Sequence, residues 1–204
     1  MAEQVFPTKG NLIRLKKSLE LARTGYDLLD RKRNILVRET MQLAEQAENI
    51  GKQINTTYSF AYSALQKANI HLGIVDEVAA SVEIDDSLKI SGRSVMGVVI
   101  PTVTIEKNKN IKNIYGYRRT DISLDIARQS FEEVKMLTVK LAEIESSVFR
   151  LSQGIRKAQK RANALKNIVI PRYEQQIKSI SDMLDEKERE EFSRLKVIKK
   201  QVEK

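Results

Sequence analysis

The sequence predicts an all-α protein, a long antiparallel two-helix coiled coil with a small β-hairpin insertion in the middle. Apolar residues recur in steps of three and four over two long stretches, which is the pattern of a coiled coil. The 204 residues include only three prolines and eight glycines, so few loops are expected. Aromatic residues make up 5% and tryptophan is absent, which indicates a narrow buried stripe rather than a broad globular core.

The first long helix is predicted within residues 1–73. Thr8, in the segment Pro7–Gly10, is its candidate N-cap. The seam that follows is mostly apolar and turns to alanine near its end: Leu12, Leu15, Leu19, Ala22, Tyr26, Leu29, Arg33, Leu36, Thr40, Leu43, Ala47, Ile50, Ile54, Thr57, Ala61, Ala64, Ala68 and His71. A seam of this length predicts a rod of about 90 Å at a rise of about 1.5 Å per residue.

Residues 74–120 form a middle segment in which the period changes. Leu88 and Ile90 alternate with polar residues, Ser91–Ser94 resembles a turn, and Val95–Ile100 is rich in β-branched residues. These features predict a short hairpin with its turn at Ser91–Ser94. Two strands alone are marginally stable in water, so we expect the hairpin to pack on the helices or on a partner. Its candidate partner contacts are Leu88, Ile90, Val95 and Val98.

Residues 121–204 contain the second long helix. Because the middle segment is short, the two helices are expected to fold back on each other as one elongated antiparallel unit. If paired residue numbers sum to roughly 205, Gly51 lies opposite Gly154.

The stretch Arg161–Tyr173 interrupts the second helix. It contains that helix's only proline, Pro171, which lacks an N–H and crowds the carbonyl four residues earlier, so a bend is expected. The seam also changes there to steps of four residues, which predicts local unwinding. These steps run through Leu165, Val169, Tyr173 and Ile177.

Charge is unevenly distributed. The net charge is +9 and the pI is about 9.6, which favours an anionic partner surface. Between Ser146 and Tyr173 there is no acidic residue. An anionic partner and a merely solvated face both remain open explanations. The candidate partner contacts are Pro171 and five cations that we call the basic belt, namely Arg156, Lys157, Lys160, Arg161 and Lys166.

Sites for catalysis are not predicted. The sequence has no cysteine and one histidine, and it lacks a phosphate-binding loop, metal-ligand spacing and a nucleophile paired with a base. We therefore expect no catalytic, cofactor-binding or metal-binding residue. No apolar run approaches the length of a membrane span, so any association with a membrane is expected to go through partners.

Several segments together resemble the D subunit of V/A-type ATPases, the central rotor shaft of those machines. They are Pro7–Leu12 with Leu15 and Lys16, Arg161–Leu165 with Ile170 and Pro171, Glu188–Glu190, and Arg194–Lys199. The resemblance covers both helices and nearly the whole chain. Ala162 and Lys166 depart from it, because the family more often has valine and glutamate there, and the hairpin matches less well than the helices.

The resemblance implies a non-catalytic rotor subunit that couples ATP hydrolysis or synthesis to proton or sodium translocation. Its termini would insert into a ring of catalytic A and non-catalytic B subunits, with the F subunit of the stalk at the side and the C (d-type) socket subunit below. The complex would lie on the cytoplasmic side of a membrane, with this chain peripheral to it.

Two other classes of protein fit a basic coiled coil. One binds nucleic acid, although a recognition motif and interleaved aromatic residues are missing. The other is a homo-oligomeric scaffold or a membrane-surface tether. Salt-sensitive DNA binding would favour the first, and a stable homodimer or lipid co-sedimentation would favour the second.

Overall fold

The structure, a computed structural model, describes residues 6–75, 80, 87–105 and 120–202. It confirms the predicted fold class. The elements in chain order are helix α1 (Lys9–Leu72), strands β1 (Leu88–Val95) and β2 (Val98–Ile105), helix α2 (Ile122–Ala164), a π-helical turn (Leu165–Val169) and helix α3 (Ile170–Val202). Much of the predicted middle segment 74–120 lies outside the described residues. Within the described ranges, no helix is both long enough and apolar enough to cross a membrane.

Contacts divide the chain into two compact units. The first unit contains Met1–Asn34 and Arg156–Lys204, and the second contains Ile35–Ile155. Each unit therefore draws residues from both halves of the sequence, as expected when the chain folds back on itself.

The second unit is an antiparallel helix pair that carries the hairpin. Tyr62 on α1 meets Phe131 on α2 edge to face, with ring centroids 5.5 Å apart. His71 Nδ1 at the end of α1 lies 3.3 Å from a carboxylate oxygen of Asp121, directly before α2. Alanines at the seam let the helices approach closely here, and the buried ones are Ala61, Ala64, Ala68 and Ala127.

The predicted register of this pair is wrong. Gly154 lies beside Leu36 rather than Gly51, since a Cβ built on Gly154 would be 3.6 Å from Leu36 Cδ1. Nothing lies within 4 Å of a Cβ built on Gly51. The physical reason is that buried side chains meeting across the pair, such as Leu36 and Leu151, set the alignment, whereas a sum of 205 corresponds to helices that end level at the chain termini.

The first unit is also an antiparallel pair. Lys9 Nζ lies 2.8 Å from Glu188, and Arg23 lies 2.6 Å from Glu174. The seam of this unit is closed by small and branched apolar residues, of which Leu15, Ala22, Ala158, Ala162 and Ile180 are buried. Because Lys9 is already opposite Glu188, the last turns of α3 run past the start of α1.

The π-helical turn falls inside the stretch for which unwinding is predicted. At its end the N–H of Ile170 donates to the carbonyl of Leu165, five residues earlier instead of four. A wider turn suits a seam that advances in steps of four. It also moves the backbone ahead of Pro171, whose ring would otherwise crowd the carbonyl of Asn167 in a regular α-helix.

The hairpin is antiparallel, and Val95 pairs with Val98 next to its turn. The turn consists of Met96 and Gly97, with φ of 49° and 75°. The predicted turn at Ser91–Ser94 is wrong, because these residues continue β1. A two-residue hairpin turn with positive φ at both positions usually begins with Asn, Asp or Gly, so methionine at the first position concealed it.

Candidate partner-binding surfaces

The basic belt spans the end of α2 and the π-helical turn. Arg156, Lys157, Lys160 and Arg161 lie in the last turns of α2, and Lys166 lies in the π turn. All five side chains are exposed. The seam residues between them, Ala158 and Ala162, are buried, so the five cations project from the helix faces left free by the coiled coil.

The belt has little internal charge compensation. In the part of the chain that the structure describes, no carboxylate forms a salt bridge with any of its five members. Lys166 Nζ instead lies 5.8 Å from the centre of the Tyr26 ring. Such a surface can attract an anionic partner without first breaking ion pairs.

Pro171, the sixth residue in this set, is half-buried in the first turn of α3. It is therefore less accessible than the belt cations. Its main structural effect is on the backbone of the neighbouring π-helical turn.

The hairpin contact residues separate into two pairs. Val95 and Val98 are half-buried and pack against a core cluster formed by Leu36, Ile100 and Leu151. Leu88 is 42% exposed and Ile90 is 71% exposed. The first pair anchors the hairpin to the helices, and only the second pair is open to another molecule.

Two residues that sequence analysis missed hold the hairpin in place. Ile100, only 2% exposed, inserts between Leu36 and Leu151. Gly154 leaves the space that Val98 occupies. Ile100 lies in an apolar run, which signals burial but not against which helix, and nothing in the sequence around Gly154 indicates a contact with the hairpin.

Polar contacts add to this anchoring. Arg93 donates to Glu39 on α1 at 3.2 Å. On the other side, Arg150 donates to the carbonyl of Val99 at 3.3 Å. The buried Ser147 hydroxyl donates to the carbonyl of Glu143 at 2.8 Å, and its oxygen lies 3.5 Å from the carbonyl of Pro101. Both long helices thus bind the hairpin through side chains.

Asp121 caps the start of α2. One carboxylate oxygen accepts from the N–H of Ile122 at 2.8 Å, and the other accepts from the hydroxyl of Ser123 at 3.0 Å. These hydrogen bonds, the one from Ser123 first, hold the pKa of Asp121 below its ordinary value, and His71 adds to the effect. The arrangement is a helix cap joined to the end of α1.

The ion pair between Lys9 and Glu188 is the corresponding feature of the first unit. The hydrogen bond and charge of Glu188 raise the pKa of Lys9, and Lys9 lowers the pKa of Glu188 in the same way. Across the described ranges, no group of three His, Cys, Asp or Glu residues could hold a metal ion. The polar contacts of Asp121 and Lys9 therefore cap a helix end and join two helix surfaces.

A family model for the D subunit of ATP synthase matches residues 11–200. The chain belongs to this family. It is 43% identical over 200 residues to the D subunit of the V-type ATP synthase of Thermotoga neapolitana, covering 97% of this chain and 98% of the relative. It is 37% identical over 200 residues to the D subunit of the A-type ATP synthase of Thermococcus sibiricus, covering 96% and 94%. With the corresponding A-type protein of Methanosphaera stadtmanae it shares 35% over 201 residues, covering 97% and 94%.

Membership in the family of ATP synthase D subunits makes this chain a stalk component of a rotary ATPase. It supports the predicted rotor function over the alternatives of a scaffold or a nucleic-acid-binding coiled coil. The match includes the hairpin and nearly all of both long helices, so it covers nearly the whole fold described above.

Proposed function

We propose that this ATP synthase D subunit is the non-catalytic shaft that transmits torque between a catalytic ring and an ion-translocating membrane rotor. The observation that carries the proposal is the family match over residues 11–200, which covers both helices and their seam. The chemistry of ATP then belongs to the A and B subunits of the ring. The shaft contributes stiffness and an asymmetric surface, and the transported ion is a proton or sodium.

The basic belt is the proposed contact with the ring. Exposed charge pairs contribute only about 0–1 kcal/mol each, so contacts between the belt and acidic ring loops rearrange at low cost as the shaft turns. Their summed field also steers the shaft into the ring during assembly. The exposure of Arg156, Lys157, Lys160, Arg161 and Lys166 and their lack of described carboxylate partners support this role.

Pro171 and the π-helical turn are proposed to make the shaft asymmetric. A π turn shifts the phase of the following helix relative to the preceding one, so the surface beyond it faces a different direction. A shaft with such an offset presses differently on ring positions that are otherwise equivalent. A rotary mechanism needs such unequal contacts, because they place the otherwise equivalent ring positions in different states.

The remaining partners are proposed from the family resemblance. The F subunit binds at the side of the shaft, the C (d-type) socket subunit receives its membrane-facing end, and exposed Leu88 and Ile90 provide the hairpin's share of the contacts. The chain stays peripheral, on the cytoplasmic side, and enters the membrane rotor only through its partners. It does not act on nucleic acid.

Affinity purification of the tagged chain from its own cells tests this function. We expect the A and B subunits to co-purify in a complex that hydrolyses ATP, and the isolated chain to have no ATPase activity. Recovery of the chain as a free homodimer, or bound to nucleic acid in a salt-sensitive manner, would support the scaffold or nucleic-acid-binding alternative instead.

A further inference from the structure

The two outer edges of the hairpin present backbone groups in alternation. In the register, Ile90 is opposite Val103 and Val95 is opposite Val98 at the two-residue turn. The pair that closes such a turn exchanges hydrogen bonds, and bonded and non-bonded pairs alternate from there. The N–H and C=O groups that point away from the partner strand therefore belong to Leu88, Ile90, Gly92 and Ser94 on β1, and to Val99, Pro101 and Val103 on β2.

The β2 edge is covered by helix α2. The outward carbonyl of Val99 accepts a hydrogen bond from Arg150 at 3.3 Å, and the hydroxyl oxygen of Ser147 lies 3.5 Å from the outward carbonyl of Pro101. The bond from Arg150 independently confirms the direction in which the Val99 carbonyl points. Pro101 has no N–H to offer at this edge, so its presence costs the sheet no hydrogen bond.

The β1 edge is open. Seven of the eight β1 residues are exposed. Among the residues that the structure describes, no hydrogen bond reaches the outward groups of Leu88, Ile90, Gly92 or Ser94. An exposed strand edge of this kind is a template for another strand, and proteins usually blunt it with proline or cover it. In this hairpin, both the proline and the covering helix are found at the β2 edge.

The side chains along β1 define which strand would fit. Leu88 and Ile90 lie on the face turned away from the helices, and Lys89 and Arg93 lie on the face that also carries the anchoring residue Val95. A strand added beside β1 would continue both faces. It would place apolar side chains next to Leu88 and Ile90.

We propose that the outer edge of β1 binds an extended segment of a neighbouring protein of the complex, with apolar residues at alternate positions, as a third strand. The proposal rests on the proposed function, because the segment must belong to the same ATP synthase. A third strand stabilises a hairpin that is marginal with two strands. Backbone hydrogen bonds supply the affinity, and the alternating side chains supply the specificity.

Amide hydrogen exchange tests the proposal on the wild-type chain, alone and in the ATPase complex purified through it. We expect the outward amides of Ile90, Gly92 and Ser94 to exchange at least about tenfold more slowly in the complex. A complex that contains catalytic subunits but leaves these amides unprotected overturns strand addition alone. If the purified material contains no catalytic subunits, the proposed function itself fails.

Two matched variants separate the edge from the apolar face. Ile90→Pro and Val103→Pro remove apolar side chains that face each other on the same side of the hairpin, and neither N–H points toward the other strand. We expect Ile90→Pro to abolish the protection of Gly92 and Ser94 and to lower ATP-driven ion pumping, while Val103→Pro retains both. Equal behaviour of the two variants overturns the proposal.

Two further outcomes are decisive. If the edge amides are already protected in the isolated chain at high concentration, a second copy occupies the edge and the proposal is wrong. Loss of protection at the inward Arg93 amide would show that Ile90→Pro unfolds the hairpin. In that case, the comparison of wild-type amide exchange in the isolated chain and in the complex decides alone.

Discussion

A Cβ added at Gly154 would lie 2.7 Å from Cγ2 of Val98. This distance is too short for two non-bonded carbons, so the absence of a side chain at this position of α2 is what allows the hairpin to sit on the helix pair. Glycine normally weakens a helix by about 1 kcal/mol relative to alanine. At position 154 this loss of helix stability accompanies a gain, because the missing side chain makes room for Val98 of β2.

Gly154→Ala is expected to loosen the hairpin. Val98 is β-branched and stiff at χ1, so it cannot easily turn away from the new methyl group. We expect faster amide exchange in residues 95–100 and little change in helix content. Gly51→Ala is the control, because its Cβ meets nothing within 4 Å, and it should raise stability by up to about 1 kcal/mol. Adding Val98→Ala to Gly154→Ala should relieve the clash, and failure to do so would contradict this explanation.

Neutralising the five belt residues to glutamine should slow assembly with the ring and make assembly more sensitive to salt. The melting temperature of the isolated chain should barely change, because exposed side chains without ion pairs contribute within about 0.5 kcal/mol. A two-site pair provides a matched control. Lys157→Gln with Lys160→Gln should impair assembly, whereas Lys67→Gln with Lys140→Gln, which remove the same charge from exposed lysines elsewhere, should not. Wild-type reconstitution rates at low and high salt in the five-site variant would mean that the belt is only a solvated face.

The Asp121 cap predicts a pH dependence. Its pKa is lower in the folded chain than the ordinary 3.8, so its contribution to stability is complete above that pH and is lost as the pH falls through the folded pKa. Asp121→Ala should therefore lower the melting temperature at pH 6, and the difference from wild type should shrink below about pH 4. Gln175→Ala, at an exposed position on α3, removes no titratable group and is the control, which should show no such trend. A difference that stays constant down to pH 2 would rule out the carboxylate as its source.

Pro171→Ala restores an N–H that can bond the carbonyl of Asn167. We expect the isolated chain to become more stable, by less than the roughly 3 kcal/mol of a proline in a regular helix, because the π turn already reduces the crowding. In the complex, fewer ions should be moved per ATP if the offset at this turn makes the shaft asymmetric. Pro7→Ala, outside the helices, is the control for both measurements. A variant with unchanged coupling would show that the offset has no mechanical role.

The helices and their seam could be predicted because heptad spacing is a local property of the sequence. Leu15, Leu36 and Ile54 are buried where the pattern places them. The register could not be predicted, because it depends on which buried side chains meet across the pair, such as Leu36 and Leu151, which are far apart in sequence.

The partner-binding surfaces were predictable in part, because some of their features are also local properties of the sequence. The absence of acidic residues around Arg161 is visible in the sequence, and so is the phase change next to Pro171. The division of the hairpin residues into anchors and exposed contacts was not visible, since it depends on which face of the sheet meets Leu36 and Leu151. The turn at Met96 escaped because its left-handed conformation lacks the usual residue type.

Rotation of single molecules tests the central claim most directly. The chain has no cysteine, so Asn69→Cys, at an exposed position on α1, can carry a bead as the only thiol label on this protein, while the ring of A and B subunits is fixed to glass. We predict that ATP drives the bead around in one direction, with pauses that recur at the same angles in every turn. A bead that stays still or only fluctuates, while the same complexes hydrolyse ATP, would contradict the assignment of this chain as the rotor shaft.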